Sequence, residues 1–262
     1  GCLSKVLERL PLGKLSSVEI GHLIKFFMTK FDDILAFKQI LTGLNSLILM
    51  DRFEINEISE VIIKEFTESY NAKNFNAHVR YLTFQILDNI IRQPRNFVAV
   101  TSDSKLNDAY IKSFLNIATG EKDPRNLMLS FHLNEIILKQ FNNIDSFKED
   151  LFDNSFCYFP IAFKPPKNDP YKITTNDLKS ALRNTLTAND LTIEDLLPNL
   201  FEKLTSTSMS VKQDVLDTLK DAIGKFNAEV VNVHWIEIWD ALKFEILHND
   251  NIPYYSVIRK ID

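Results

Sequence analysis

Apolar side chains recur along most of this chain at three- and four-residue steps, the spacing that lines up one face of an α-helix. Between residues 36 and 50 the stripe is Phe37, Ile40, Leu41, Leu44, Leu47 and Ile48. Between 75 and 91 it is Phe75, Val79, Leu82, Ile86, Leu87, Ile90 and Ile91. Between 211 and 226 it is Val211, Val215, Leu216, Leu219, Ala222, Ile223 and Phe226. No stretch alternates in steps of two between turn residues, as hairpin strands do. The chain is therefore expected to be all-α.

The polar positions mark where helices begin. Ser16 with Glu19 has the form of a capping box, in which the serine accepts from the third amide and the glutamate reaches back. Thr174 with Asp177, and Thr192 with Asp195, have the same form. Asp123 before Pro124 places an acceptor at the N-cap and a preset φ at the first helical position. The expected helices cover 17–30, 33–50, 54–69, 75–92, 103–118, 124–141, 146–157, 175–188, 193–204, 209–225, 232–248 and 254–261.

The stretch 191–226 says how these helices are organised. Leu196-Leu197-Pro198-Asn199-Leu200-Phe201-Glu202-Lys203-Leu204 is followed by a polar linker, Thr205 to Ser210, and then by Val211-Lys212 and a second amphipathic helix. A proline-bearing first helix, a short turn and a second helix opening on valine and a basic residue resemble a HEAT repeat. Roughly 40 residues further on, Trp235-Ile236-Glu237-Ile238-Trp239-Asp240-Ala241-Leu242 looks like the first helix of the next repeat, at the period such arrays keep. The expected architecture is an α-solenoid of HEAT-like helical hairpins, with residues 1–262 as one segment. Each hairpin leaves an apolar face that only a neighbouring repeat can cover. The chain opens at Gly1 and stops at Asp262, which suggests a piece of something longer.

One region, 157–173, breaks the pattern. Pro160, Pro165, Pro166 and Pro170 forbid a regular helix there. It has two readings: a rigid connector whose aromatics tuck back onto the helices, or a presented recognition loop on a rigid scaffold.

Composition narrows the function classes. Twenty Phe against two Trp point to a core filled by flat side chains. The net charge is −5, with Lys and Arg scattered among Asp and Glu. That is not the basic footprint of a chain that binds nucleic acid directly. No apolar run reaches the ~20 residues that span a bilayer, and the opening residues lack the apolar core of a signal peptide. Cys2 and Cys157 form no paired motif, as in a reducing compartment. Cys157, among Phe156, Tyr158 and Phe159, is expected to be a small buried hydrophobe.

A search for chemistry returns little. His22, His78, His132, His234 and His248 are dispersed, and no Cys-x-x-Cys or His-x-x-x-His occurs, so no cofactor is expected. His132 and Glu135 sit one turn apart, but a carboxylate-bridged di-iron site needs a second such pair and two further glutamates. No phosphate loop and no nucleophile elbow is present. Asp32/Asp33 and Glu57/Glu60 have the placement of helix-start and solvated-face charges.

Two motifs carry a resemblance. Glu121-Lys122-Asp123-Pro124-Arg125-Asn126-Leu127 is one. Cys157-Tyr158-Phe159-Pro160-Ile161, continuing through Pro165-Pro166-Lys167-Asn168-Asp169-Pro170, is the other. With Asp177-Leu178, Ser180-Ala181-Leu182-Arg183 and the 197–203 helix, they resemble the N-terminal domain of the MMS-nineteen family, the HEAT-repeat scaffold of the cytosolic iron–sulfur targeting complex. The resemblance is specific over 121–204 and extends by helical pattern over the rest. It implies a non-enzymatic adaptor of cytosol and nucleus. Its implied partners are a WD-repeat propeller protein, a small factor that contacts that propeller, and apo iron–sulfur clients such as the helicase of transcription factor IIH. A second implied role is regulation of transcription and excision repair through direct contact with that factor. A third possibility, an enzyme with an unrecognised site, requires titratable groups converging in a cleft.

The candidate protein-binding residues are Lys164, Pro165, Pro166, Asn168, Asp169, Pro170 and Tyr171 in the break, with Arg125 as a surface anchor. Arg125 has a second reading, a helix-start residue paired with a nearby carboxylate.

Overall fold

The computed structural model describes residues 1–164 and 170–248, with the side chain of His248 excepted. Among these residues the chain forms α-helices and no strand. In order they are α1 (Cys2–Leu7), α2 (Ser17–Met28), α3 (Phe37–Ile48), α4 (Val61–Glu68), α5 (Ala77–Arg92), α6 (Pro94–Ser102), α7 (Ser104–Ala118), α8 (Pro124–Gln140), α9 (Lys148–Phe156), α10 (Thr175–Leu186), α11 (Ile193–Leu204), α12 (Met209–Lys225), α13 (Ala228–Val233) and α14 (Trp235–His248). The all-α class of stacked helical hairpins is thus what the chain adopts. The segment expected to be helical at 254–261 lies outside the described residues.

Two compact units are present: Gly1–Leu133 with Gln140–Ile144, and Asn134–Lys139 with the chain from Asp145 onward. In the first, α1, α3 and α5 lie side by side, α2 packs on α3, and α4 packs on α7. All six residues of the α3 stripe are buried. Around them Phe31, Phe37, Phe66, Tyr70 and Phe75 form an aromatic cluster, with the Phe37 and Phe75 rings 4.3 Å apart and nearly parallel. Offset ring pairs of this kind add about 1 kcal/mol to the burial of their area. In the second unit α9 packs on α10 and α11 on α12, while α9, α11 and α14 form one row and α10 and α12 another. Pro198 lies inside α11, and Val211-Lys212 lies near the start of α12.

Several starts differ from expectation for local polar reasons. The boxes at Ser16/Glu19 and Thr174/Asp177 form. The one at Thr192/Asp195 does not: the Thr192 hydroxyl donates to the Asn189 carbonyl at 2.9 Å instead. The helix expected from 54 begins only at Val61. The Asn56 side chain accepts from the amides of Ile58 and Ser59, which satisfies those donors in a turn rather than in a helix. The helix expected from 33 begins at Phe37, because the Asp33 carboxylate accepts from the amides of Leu35 and Ala36 in the same way. The short helices α1, α6 and α13 fall outside the expected set.

Polar contacts between helices join one repeat to the next. Side-chain amides reach backbone carbonyls one repeat away: Asn45 to Leu82 (3.1 Å), Gln93 to Ile48 (2.6 Å), Asn116 to Phe66 (2.6 Å), Asn126 to Ala77 (3.0 Å) and Asn189 to Leu138 (2.7 Å). Ion pairs do the same between Lys179 and Asp214 and between Lys212 and Glu245, both in the second unit. Each neutral bond contributes about 1 kcal/mol net, and together they fix which turn of one helix faces which turn of the next.

Asn107 is the exception. It is fully buried in the first turn of α7, and neither its Oδ1 nor its Nδ2 has a hydrogen-bond partner. An orphaned buried amide costs about 1–3 kcal/mol, whereas an apolar group of the same shape costs nothing comparable. Asn107→Leu is therefore expected to raise the thermal midpoint by about 3 °C. A lowered midpoint in a calorimetric scan would sink this reading of the site.

Candidate protein-binding surface

The 157–173 break starts from α9. Phe152, Phe156 and Phe159 stack in series, with centroids 5.1 and 5.3 Å apart. This carries the chain off the helix end with its aromatic rings still packed. A cis peptide bond joins Phe159 to Pro160. Phe159 and Ile161 then settle into a shallow cleft with Lys179, Leu182, Arg183, Asp214 and Thr218, contributed by α10 and α12. The Thr175 hydroxyl donates to the Phe163 carbonyl at 2.7 Å, tying the far end to the start of α10. Residues 158–163 therefore behave as the packed connector of the first reading. Lys164, Pro170 and Tyr171 are exposed. Pro165, Pro166, Asn168 and Asp169 lie outside the described residues.

Cys157 is exposed, not buried as its apolar neighbours suggested. It is the residue that ends α9, so its side chain leaves the helix at the rim while Phe156 and Phe159 take the interior. Partial desolvation and the Asp153 carboxylate raise its thiol pKa. A raised thiol is the opposite of a reactive thiolate.

The 121–127 motif is a buried polar knot in the first unit. Glu121 is 3% exposed. The Arg80 guanidinium grips its carboxylate with two bonds, Nε to Oε2 at 2.9 Å and Nη2 to Oε1 at 2.7 Å. The amides of Lys122 and Asp123 donate to Oε1 at 2.8 and 2.9 Å, and Asn126 Nδ2 donates to Oε2 at 3.0 Å. Burial alone would raise this carboxyl; Arg80, the Asp123 amide, Asn126 and the Lys122 amide outweigh it and hold the pKa below the ordinary value. Asp123 Oδ1 accepts from the amides of Arg125 and Asn126, which starts α8 as expected.

Arg125 is held over a ring: its guanidinium carbon lies 3.4 Å from the Tyr81 centroid, an arrangement available to a planar cation. His78 is exposed, one turn before Tyr81 on α5. Partial burial, then the positive charges of Lys38 and Arg125, lower the His78 pKa, so the imidazole is neutral at pH 7. Arg125 belongs to the first unit, and Lys164, Pro170 and Tyr171 belong to the second. Sequence reasoning missed Lys38, His78 and Tyr81; each sits on a helix as an ordinary surface residue, with no motif to single it out.

No group of three His, Cys, Asp or Glu among the described residues is placed to hold a metal ion. Glu135 is engaged by Lys139 at 2.5 Å rather than by His132. Burial pushes the Tyr70 phenol up to about 12 and raises that of Tyr110; both are core residues with hydrogen-bond partners in the fold. No described helix is long and apolar enough to cross a membrane.

Comparison with known proteins agrees over nearly the whole chain. A family model described as "Dos2-interacting transcription regulator of RNA-Pol-II" matches residues 1–248. The chain is 43% identical over 251 residues to the MMS19 DNA repair/transcription protein of Saccharomyces cerevisiae, covering 95% of this chain and 24% of that protein. It is 33% identical over 248 residues to the DNA repair/transcription protein mms19 of Schizosaccharomyces pombe, covering 94% and 24%. It is 28% identical over 229 residues to the MMS19 nucleotide excision repair protein homolog of Homo sapiens, covering 87% and 22%. The chain therefore spans about a quarter of the length of the curated relatives it matches.

Proposed function

The chain belongs to the MMS-nineteen family, and on that premise we propose that it is a non-enzymatic protein-binding arm of an adaptor. The adaptor helps deliver iron–sulfur clusters to apo-proteins of DNA replication, repair and transcription. The observation that carries this reading is the family match over 1–248. The relatives are named for repair and transcription, and none of those named above is named as an enzyme. The titratable groups with shifted pKa values support a scaffold rather than a catalyst, since those of Tyr70, Tyr110 and Glu121 are tied into the packing. The partners of this reading are a WD-repeat propeller protein with its small companion, and apo clients such as the helicase of transcription factor IIH. Its location is cytosol and nucleus.

The decisive experiment is an affinity pull-down of the chain from cytosolic extract, read by mass spectrometry with and without iron starvation. Apo iron–sulfur proteins are expected to be recovered, and more of them under starvation. Recovery of assembly factors alone would make this a docking arm for machinery rather than cargo. Recovery of neither class would overturn the adaptor reading. Replacing 164–171 by a Gly/Ser linker is expected to reduce client recovery several-fold while leaving the helical circular-dichroism signal intact. Unchanged recovery from the folded variant would remove the break from the binding surface.

The words "DNA repair/transcription" in the relatives' names favour a second reading, regulation by direct contact with transcription factor IIH. It predicts equal capture of the cluster-loaded and the apo helicase, whereas delivery predicts capture of the apo form.

A further inference from the structure

Helix α14 has a patterned outer face that the proposed function leaves unassigned. The helix packs on α11 and α13, and it buries Ile238, Leu242 and Glu245, the last paired with Lys212 of α12. On its other side Ile236 is 72% and Leu247 68% exposed, and Asp240 and Lys243 between them are exposed as well. These four residues follow one another at steps of four, three and four, the a/d spacing of a coiled-coil seam. Trp239, next to the seam, stacks on Trp235 with ring centroids 6.4 Å apart and is 40% exposed. Large apolar residues at seam positions ordinarily face a partner helix; here they face water. Asp240 and Lys243 stand one turn apart, a spacing at which opposite charges on a helix commonly pair. Among the described residues, however, neither makes an ion pair or a side-chain hydrogen bond.

We propose that this seam docks a second copy of the chain, α14 against α14, in antiparallel register. The pattern specifies its own partner. Along the helix it reads apolar, acid, base, apolar, and in reverse it reads apolar, base, acid, apolar. Antiparallel helices set a positions against d positions, so Ile236 meets Leu247 of the second copy and Asp240 meets Lys243 of the second copy. The two-fold axis repeats both contacts. Parallel helices would instead set the two Asp240 side chains together and the two Lys243 side chains together, and like charges oppose that arrangement. A copy supplies the reversed charge pair by symmetry alone, which is what favours it over an unrelated protein. The helix has 14 residues, about four turns, and a pair of that length makes a small interface. The expected association is therefore weak, with a dissociation constant on the order of 10 µM. This inference goes beyond the adaptor reading and stands without it.

The test is sedimentation equilibrium of the 262-residue chain from about 1 to about 200 µM, a range that brackets the expected constant. The weight-average mass is expected to rise from 30.3 kDa toward twice that value. Asp240→Lys and Lys243→Asp each turn the central contacts into like-charge pairs, and each alone is expected to weaken association about 10-fold or more. Mixed in equal amounts, the two variants face each other with opposite charges again, and a dimer of one copy of each is expected at native strength. The double exchange Asp240→Lys/Lys243→Asp restores a self-complementary pattern and is expected to associate as the native chain does. All three variants change exposed side chains only, so the helical circular-dichroism signal is expected to stay. Both tryptophans of the chain lie on α14, and their emission is expected to shift to the blue as the chain is concentrated. A chain that stays monomeric, single variants that associate like the native chain, or a mixture that does not recover association would overturn the proposal. So would blue-shifted emission at every concentration, which would mean that the face is covered within one copy. A different protein whose recovery in the pull-down is lost with Asp240→Lys, while the native chain stays monomeric, would assign the seam to that protein instead.

Discussion

Glu121→Ala will destabilise the first unit by about 4 kcal/mol, as expected when one partner of a buried, hydrogen-bonded ion pair is removed. The loss has two parts. Arg80, whose side chain is 19% exposed, keeps its charge without its bidentate acceptor. The amides of Lys122 and Asp123 and the Asn126 side chain lose the oxygens they donate to. The effect is expected to depend on pH. The folded-state pKa of Glu121 lies below its unfolded value, so its contribution is complete above the ordinary carboxylate range of about 4 and fades as pH falls through the lowered folded value. Urea denaturation at neutral pH and on descending into acid checks both points. The variant should lose less stability than the native chain on the way down. Parallel acid profiles for the two would show that Glu121 carries no such linkage.

Gly43→Ala sets two opposing effects against each other. Alanine in place of glycine inside a helix should gain about 1 kcal/mol. A Cβ at position 43, however, would lie 2.3, 2.7 and 2.9 Å from three atoms of the Phe27 ring. Phe27 is 4% exposed and cannot swing into solvent without giving up its burial. Overpacking of a closed core costs about 1–3 kcal/mol or more, and three such approaches place this case at the upper end. The net expectation is a loss of about 2 kcal/mol in chemical denaturation. Phe27→Leu made in the Gly43→Ala background should cost much less than Phe27→Leu alone, because the two residues share one space. Additive losses would mean that the ring and the glycine do not compete.

The longer helices were legible because their cores repeat every three or four residues over three or more turns: α3, α5, α8, α11 and α12 lie within a few residues of where the stripes put them. The shorter ones were not. α1 has 6 residues and α13 has 6, too few for a stripe to declare itself. α6 fell in the gap between the expected helices 75–92 and 103–118, and Asp103, which caps α7 through Leu106, sets the boundary between α6 and α7. The candidate surface was legible only as far as its motifs. Arg125 stood out by its neighbours in sequence, but Tyr81 beneath it is 44 residues away, a distance no local pattern reports. Cys157 misled for the same reason: apolar neighbours along the chain do not decide which side of a helix end a side chain leaves by.

The amides that cross from one repeat to the next are specific at one end only. Asn45, Gln93, Asn116, Asn126 and Asn189 each supply a particular side chain, but what they meet is a main-chain carbonyl, which every amino acid possesses. A substitution at Leu82, Ile48, Phe66, Ala77 or Leu138 therefore leaves the acceptor in place so long as the backbone holds its path. Half of each contact is immune to mutation. Successive units joined in this way can drift apart in composition until no period survives for inspection, and still find the same alignment when the chain folds.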